Sequence, residues 1–93
     1  MSHLEYQFID AIKALPFVQS VYLYGSRARG DNVPRSDIDL AVFCPEADTF
    51  QWQKVCDIID EADTLLKIDC VRYDSLQQGD RLKHNIDKDK VIL

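Results

Sequence analysis

At 93 residues the chain has the length of one small domain, and a domain of this size buries only about 60% of its unfolded surface, which leaves a thin core. An apolar content of 46% with 10% aromatic residues speaks against a disordered chain. A net charge of −5 speaks against non-specific binding to nucleic acid but still permits a nucleotide held by local arginines and a metal. The three cysteines, Cys44, Cys56 and Cys70, lack a C-x-x-C spacing, which suits free thiols in a reducing compartment, with Cys56 and Cys70 expected in the core. No apolar run reaches the roughly 18–20 residues that cross a bilayer, and the N-terminus carries no basic and apolar leader. The expected location is the cytoplasm.

Leu4, Phe8, Ile12 and Leu15 fall at helical spacing, with Ile9 widening the stripe. Ser2 and Glu5 have the spacing of a capping box, and Pro16 marks the helix end near Leu15. A strand is expected over residues 19–24, broken by Gly25-Ser26, with Arg27 to Arg29 forming a short helical turn. A turn-rich loop from Gly30 to Arg35 leads to a second strand over Asp37 to Phe43. On it Ile38, Leu40 and Val42 share one face, and Asp37, Asp39 and Ala41 share the other.

Asp48 or Thr49 is expected to cap a helix over Phe50 to Asp63, whose apolar stripe is Trp52, Val55, Cys56, Ile59 and Ala62. A third strand is expected over Leu66 to Tyr73, with Asp69 in its middle, an expensive place for an unpartnered charge. Ser75 is a candidate cap for a last helix through Asp87 with a narrow apolar strip, Leu76, Leu82 and Ile86. The charge run Asp87 to Lys90 reads as a polar turn, and Val91-Ile92-Leu93 as a short strand or docked tail. The order predicts one α/β (α+β) domain over residues 1–93, a single small mixed sheet flanked by helices. Periodicity does not give the sheet order.

Asp37 and Asp39, two apart on a strand, place like charges within several ångströms, and each raises the other's pKa unless a cation stabilises both. Mg²⁺ suits such a site, because carboxylates and substrate phosphates complete its oxygen shell. With Asp69 on a neighbouring strand, three carboxylates would converge, enough for two metals about 4 Å apart. Asp69 would also accept a proton from an attacking hydroxyl. Singly these features are weak. A D-x-D on a strand is common, Gly25-Ser26 alone is an ordinary turn, and Arg27 and Arg29 read equally well as solvated charges. The P-loop lysine and the EF-hand ligand spacing are both missing. His3 and His84 have no partner spacing for a metal.

Taken together, Gly25-Ser26-Arg27-Ala28-Arg29-Gly30 followed by Ser36-Asp37-Ile38-Asp39-Leu40, with Ile68-Asp69-Cys70-Val71 beyond, resembles the signature of the nucleotidyltransferase superfamily that includes DNA polymerase beta. The fuller string is similar to its minimal nucleotidyltransferase (MNT) branch, whose members are often encoded beside HEPN-domain partners. The resemblance implies that Gly25 and Ser26 bind a nucleoside triphosphate, with Arg27, Arg29 and Ser36 close to its phosphates. It also implies that Asp37, Asp39 and Asp69 hold Mg²⁺, two ions being expected. Asp74 lies near the third position, although a turn or cap role explains it more simply.

The activity so implied is transfer of AMP from ATP to a hydroxyl, the expected acceptor being a tyrosine on a HEPN-type ribonuclease toxin that the chain serves as antitoxin. Two other readings stand beside it. One is a binding module that neutralises its partner by contact alone; the other is nucleotidyl transfer to a small molecule such as an aminoglycoside.

Overall fold

The computed structural model describes residues 6–93. Its elements are α1 (Gln7–Lys13), β1 (Ser20–Tyr24), α2 (Ser26–Arg29), β2 (Ile38–Phe43), α3 (Thr49–Asp60), β3 (Ile68–Arg72), α4 (Arg81–Asp89) and β4 (Val91–Ile92). The strands form one mixed sheet in the order β3-β2-β1-β4. β1 pairs antiparallel with β2 and β4, while β2 and β3 are parallel. A parallel pair needs a crossover, and α3 supplies it.

Alternation along the strands sorts the sheet into two faces, as the period of two requires. Ile38, Leu40 and Val42 are fully buried and join Val21, Leu23 and Val55 with Phe8, Ile9 and Ile12 of α1. This is the α1/α3 face. Tyr24 and Ala41 point the other way and are covered by Ile86 of α4, with Leu82 and Leu76 alongside. Leu82 and Ile86 pack as their helical spacing predicts, whereas Leu76 joins them from outside the helix. Cys44, Cys56 and Cys70 are all free thiols; Cys44 is buried and the other two are half-buried. Burial, followed by the neighbouring cysteines, pushes the Cys70 thiol up to about 12.

α3 starts at a complete capping box: the Gln51 amide donates to Asp48 Oδ1 at 2.8 Å, and the Asp48 amide donates to Gln51 Oε1 at 2.9 Å. It stops at Asp60, short of Asp63. α1 likewise stops at Lys13, before Leu15, and Ser2, Leu4 and Glu5 lie outside the described residues.

Two expectations are corrected. Ser75 does not cap the last helix; it sits in a 3-10 turn, Tyr73–Ser75, where its hydroxyl donates to the Arg72 carbonyl at 2.8 Å. Gly79, at φ +89°, then redirects the chain, and Asp80 caps α4 by accepting from the Leu82 and Lys83 amides. Asp87 to Asp89, read as a turn, are the last helical turn, and Asp87 is held there by Lys83 at 3.2 Å and Lys90 at 2.8 Å.

The end of β3 is tied to the end of β2 by a polar junction. Arg72 donates to Asp74 Oδ2 at 2.8 Å and to the carbonyls of Cys44 and Ala47 at 3.0 and 2.8 Å, while the Cys44 amide donates to Asp74 Oδ1 at 2.8 Å. Burial alone would raise the Asp74 pKa, but the Cys44 amide and the Arg72 guanidinium outweigh it and hold the carboxyl below its ordinary range. Its contribution to stability is therefore complete above the ordinary carboxylate pKa and is lost as pH falls through the lowered value. Asp74→Asn should destabilise the fold by about 1–3 kcal/mol at neutral pH. In thermal unfolding from about pH 7 to pH 3, the gap between variant and parent should close at the acidic end.

Candidate active site at the carboxylate end of the sheet

β2 and β3 begin, and β1 ends, at the same edge of the molecule. Register aligns Tyr24 with Asp39 and Asp39 with Asp69, so these three residues form a row across β1, β2 and β3. Residues in register on neighbouring strands share a face, which puts both carboxylates on the α4 face. Asp37 precedes β2 at the same end. The D-x-D strand and Asp69 are thus brought together, although Asp69 does not lie in mid-strand. It is the second residue of an edge strand, 43% exposed, with Lys67 Nζ 3.6 Å from its Oδ1. That exposure removes the burial cost expected for it.

The row is electrostatically unfavourable as it stands. Burial first, then the charges of Asp69 and Asp37, raise the Asp39 pKa above the usual carboxylate range. The Tyr24 phenol is pushed up to about 12 by burial and then by Asp39 and Asp69. Like charges so placed favour a cation between them. Among the described residues no three His, Cys, Asp or Glu side chains form a ready metal cage. The fit is instead that of an ion held by one or two carboxylates whose remaining ligands are substrate phosphates and water, the way Mg²⁺ is most often bound.

Gly25 makes the row possible. At φ +74°, ψ −154° it occupies backbone space open essentially to glycine alone, and a Cβ there would stand 2.5 Å from Asp39 Oδ2. The Asp39 carboxylate therefore lies against the bare backbone of the turn that opens α2 at Ser26. α2 ends at Gly30, at φ +83°.

The remaining candidates have other partners. Arg27 folds over the loop, donating through Nε and Nη2 to the Ser36 carbonyl at 3.2 and 3.0 Å and through Nη2 to the Pro34 carbonyl at 3.1 Å. The Ser36 hydroxyl accepts from the Val33 amide at 2.9 Å. Both shape the loop that delivers Asp37 to β2. Arg29 bridges Asp31 at 3.0 Å and Asp89 of α4 at 2.9 Å. Asp74 stands at the far end of β3, inside the Arg72 junction.

Three contributors escaped the sequence reading. Tyr24 was visible only as the last apolar residue of a strand, and its place in the row follows from register. Asn85 and Lys88 of α4 line, with Gly25 and Arg29, a cleft of about 420 Å³ beside the row. Spacing of three along a helix was their only signal.

Residues 7–93 match the family described as polymerase beta, nucleotidyltransferase. Among solved structures, a mutant of the toxin–antitoxin MntA–HpeT superposes with a TM-score of 0.64 at 24% identity, covering 94% of this chain and 68% of that one. A toxin–antitoxin with AMP-PNP gives 0.61 at 25% identity over 92% and 69% of the two chains. A protein of Sulfolobus solfataricus assigned as a nucleotidyltransferase gives 0.56 at 24% identity over 92% and 72%. No curated protein sequence matches the chain significantly.

Two substitutions test the geometry. Gly25→Ala should cost roughly 1–3 kcal/mol through backbone strain and displace Asp39, read as a lower Tm. Asp39→Asn should do the reverse. Relieving a like-charge pair on neighbouring strands is worth roughly 0.2–1 kcal/mol, a rise in Tm of about 1–5 °C for a domain of this size.

Proposed function

The chain belongs to the polymerase beta nucleotidyltransferase family, and we propose that residues 1–93 act as one minimal domain that transfers AMP from ATP to an acceptor hydroxyl with Mg²⁺. The observation that carries this reading is the register of Asp39 with Asp69 against the Gly25 turn. Asp37, Asp39 and Asp69 are the residues that would supply the one or two carboxylate ligands of each Mg²⁺, which when bound would offset their charge and polarise the α-phosphate.

The chain's own groups then have distinct tasks. The turn at Gly25 and Ser26 receives the triphosphate, its bare backbone allowing close approach. Arg27 and Ser36 act mainly by fixing the loop before Asp37, and Arg29 stands at the phosphate side of the cleft. Asp69, exposed at the sheet edge, accepts the proton of the incoming hydroxyl. The acceptor oxygen forms a bond to the α-phosphorus as the bond from that phosphorus to the bridging oxygen breaks, and pyrophosphate leaves.

The acceptor we propose is a hydroxyl on a protein partner, a tyrosine of a HEPN-type toxin for which this chain is the antitoxin. Support comes from the likeness to toxin–antitoxin structures, one of them with AMP-PNP. No helix among the described residues is long and apolar enough to cross a membrane.

The test is incubation of the protein with labelled ATP, Mg²⁺ and the product of the neighbouring gene. Label should pass to the partner, and Asp37→Asn with Asp39→Asn should reduce transfer by at least about a thousandfold, as for loss of groups that act as a unit. Bound ATP without any transfer would refute protein modification. Partner neutralisation that survives the double substitution would instead support contact alone.

A further inference from the structure

α4 does more than cover the sheet. Its buried side is spent on Ile86 and Leu82. On a second side Asp87 takes Lys83, Lys90 and the Tyr73 hydroxyl, and both lysines lie over the Tyr73 ring. Those charges are mutually satisfied. Lys88 is not: it is exposed and forms no ion pair or side-chain hydrogen bond among the described residues. It faces the cleft of about 420 Å³ between α4 and the Gly25 turn, in company with Asn85, Arg29 and Asp89. Asp89 is only 13% exposed and already neutralised by Arg29. Arg29 is shared between Asp89 and Asp31, so in this lining Lys88 is the cation without a carboxylate partner among the described residues.

The cleft is lined by Tyr24, which stands next to Asp39 in the row, with Asp69 beyond. A ligand lying here would meet carboxylates through a cation at one end and an ammonium group at the other. That is the charge pattern of a metal-bound polyphosphate. A base is a poorer fit, because the only aromatic ring in the lining, Tyr24, is 9% exposed and offers no free face for stacking. We infer that Lys88, with the Asn85 amide beside it, binds the terminal phosphates of the donor nucleotide, the part that departs as pyrophosphate. The inference rests on the donor reading above and adds a positioning element on α4 that the Gly-Ser and Asp-x-Asp motif does not contain. Lysine suits the task as a point charge that binds phosphate without a fixed geometry.

A lysine in the last turn of a helix is also favoured by the helix dipole, so binding and stability need separate readouts. Calorimetry with Mg²⁺ would compare ATP, inorganic tripolyphosphate and AMP on the parent protein, Lys88→Met, Lys88→Arg and, as a control on the opposite face, Lys54→Met. Lys88→Met should weaken ATP and tripolyphosphate by about tenfold, the value of one charge-assisted hydrogen bond, and leave AMP unchanged. The KM for ATP should rise in parallel while kcat stays within about twofold, as for an interaction made equally in ground and transition states. Lys88→Arg should restore most of the affinity, Lys54→Met should change nothing, and the effect of Lys88→Met should shrink as salt is raised.

Equal weakening of AMP and ATP would move Lys88 to the nucleoside and overturn the assignment. Unchanged affinity for ATP and tripolyphosphate in Lys88→Met, with a parent that binds both, would overturn this inference alone. A parent that binds neither ligand would remove the donor reading together with it.

Discussion

Asp39 and Asp69 stand side by side on parallel strands, with Asp37 adding a third charge at the same end, and nothing in the row offsets them except Lys67 at its outer edge. The protein holds this repulsion in place with a small core, and most of the polar architecture is explained by the need to do so. At the near end, Arg27 and Ser36 pin the loop before Asp37. At the far end, Arg72 and Asp74 lock β3 and the start of the α3 crossover to the end of β2. With the strands fixed at both ends, Asp39 and Asp69 cannot relax apart by a slip of register. A one-residue slip would also turn the apolar residues of β2 out of the core.

The same constraint explains why the turn after β1 has to be glycine. The Asp39 carboxylate occupies the place of a side chain at position 25, so the closest possible neighbour of that carboxylate is peptide backbone. A substrate phosphate arriving at the turn and a cation arriving at the carboxylates would then lie close together without side chains between them. Close approach of backbone, charge and ligand is obtained at the cost of strain and repulsion. This is the usual form of the trade between activity and stability at a functional site.

Much of this was readable in the residues. Alternation along Ile38 to Phe43 and Ile68 to Tyr73 assigned both sheet faces, and Gly25-Ser26 with Asp37-x-Asp39 pointed to the candidate site. What was not readable depended on partners distant in sequence. Sheet order needed β4 to return beside β1, which a three-residue apolar tail does not announce. The start of α4 was misplaced because Ser75 has the chemistry of a cap, yet its hydroxyl closes a 3-10 turn on Arg72 and Gly79 delays the helix to Asp80. Lys83 and Asp87 did carry helical i, i+4 spacing, a signal hidden by reading Asp87 to Lys90 as a charge run. Arg27 and Ser36 show a deeper limit. A motif groups residues by position, but whether an arginine meets a ligand or a backbone carbonyl is decided by the fold of the loop.

Asp69 belongs to an edge strand, so beyond it the sheet presents solvent, whereas the opposite side of the row is closed by the Gly25 turn and α4. Under the transfer reading, donor and acceptor therefore need not compete for one entrance. The nucleotide enters on the side of the turn and Lys88, and the hydroxyl enters over β3, meeting first the carboxylate proposed to take its proton. In-line displacement at phosphorus requires the attacking and leaving oxygens on opposite sides of the phosphorus. A row of carboxylates running from the cleft beside Lys88 to an open edge would suit such an axis.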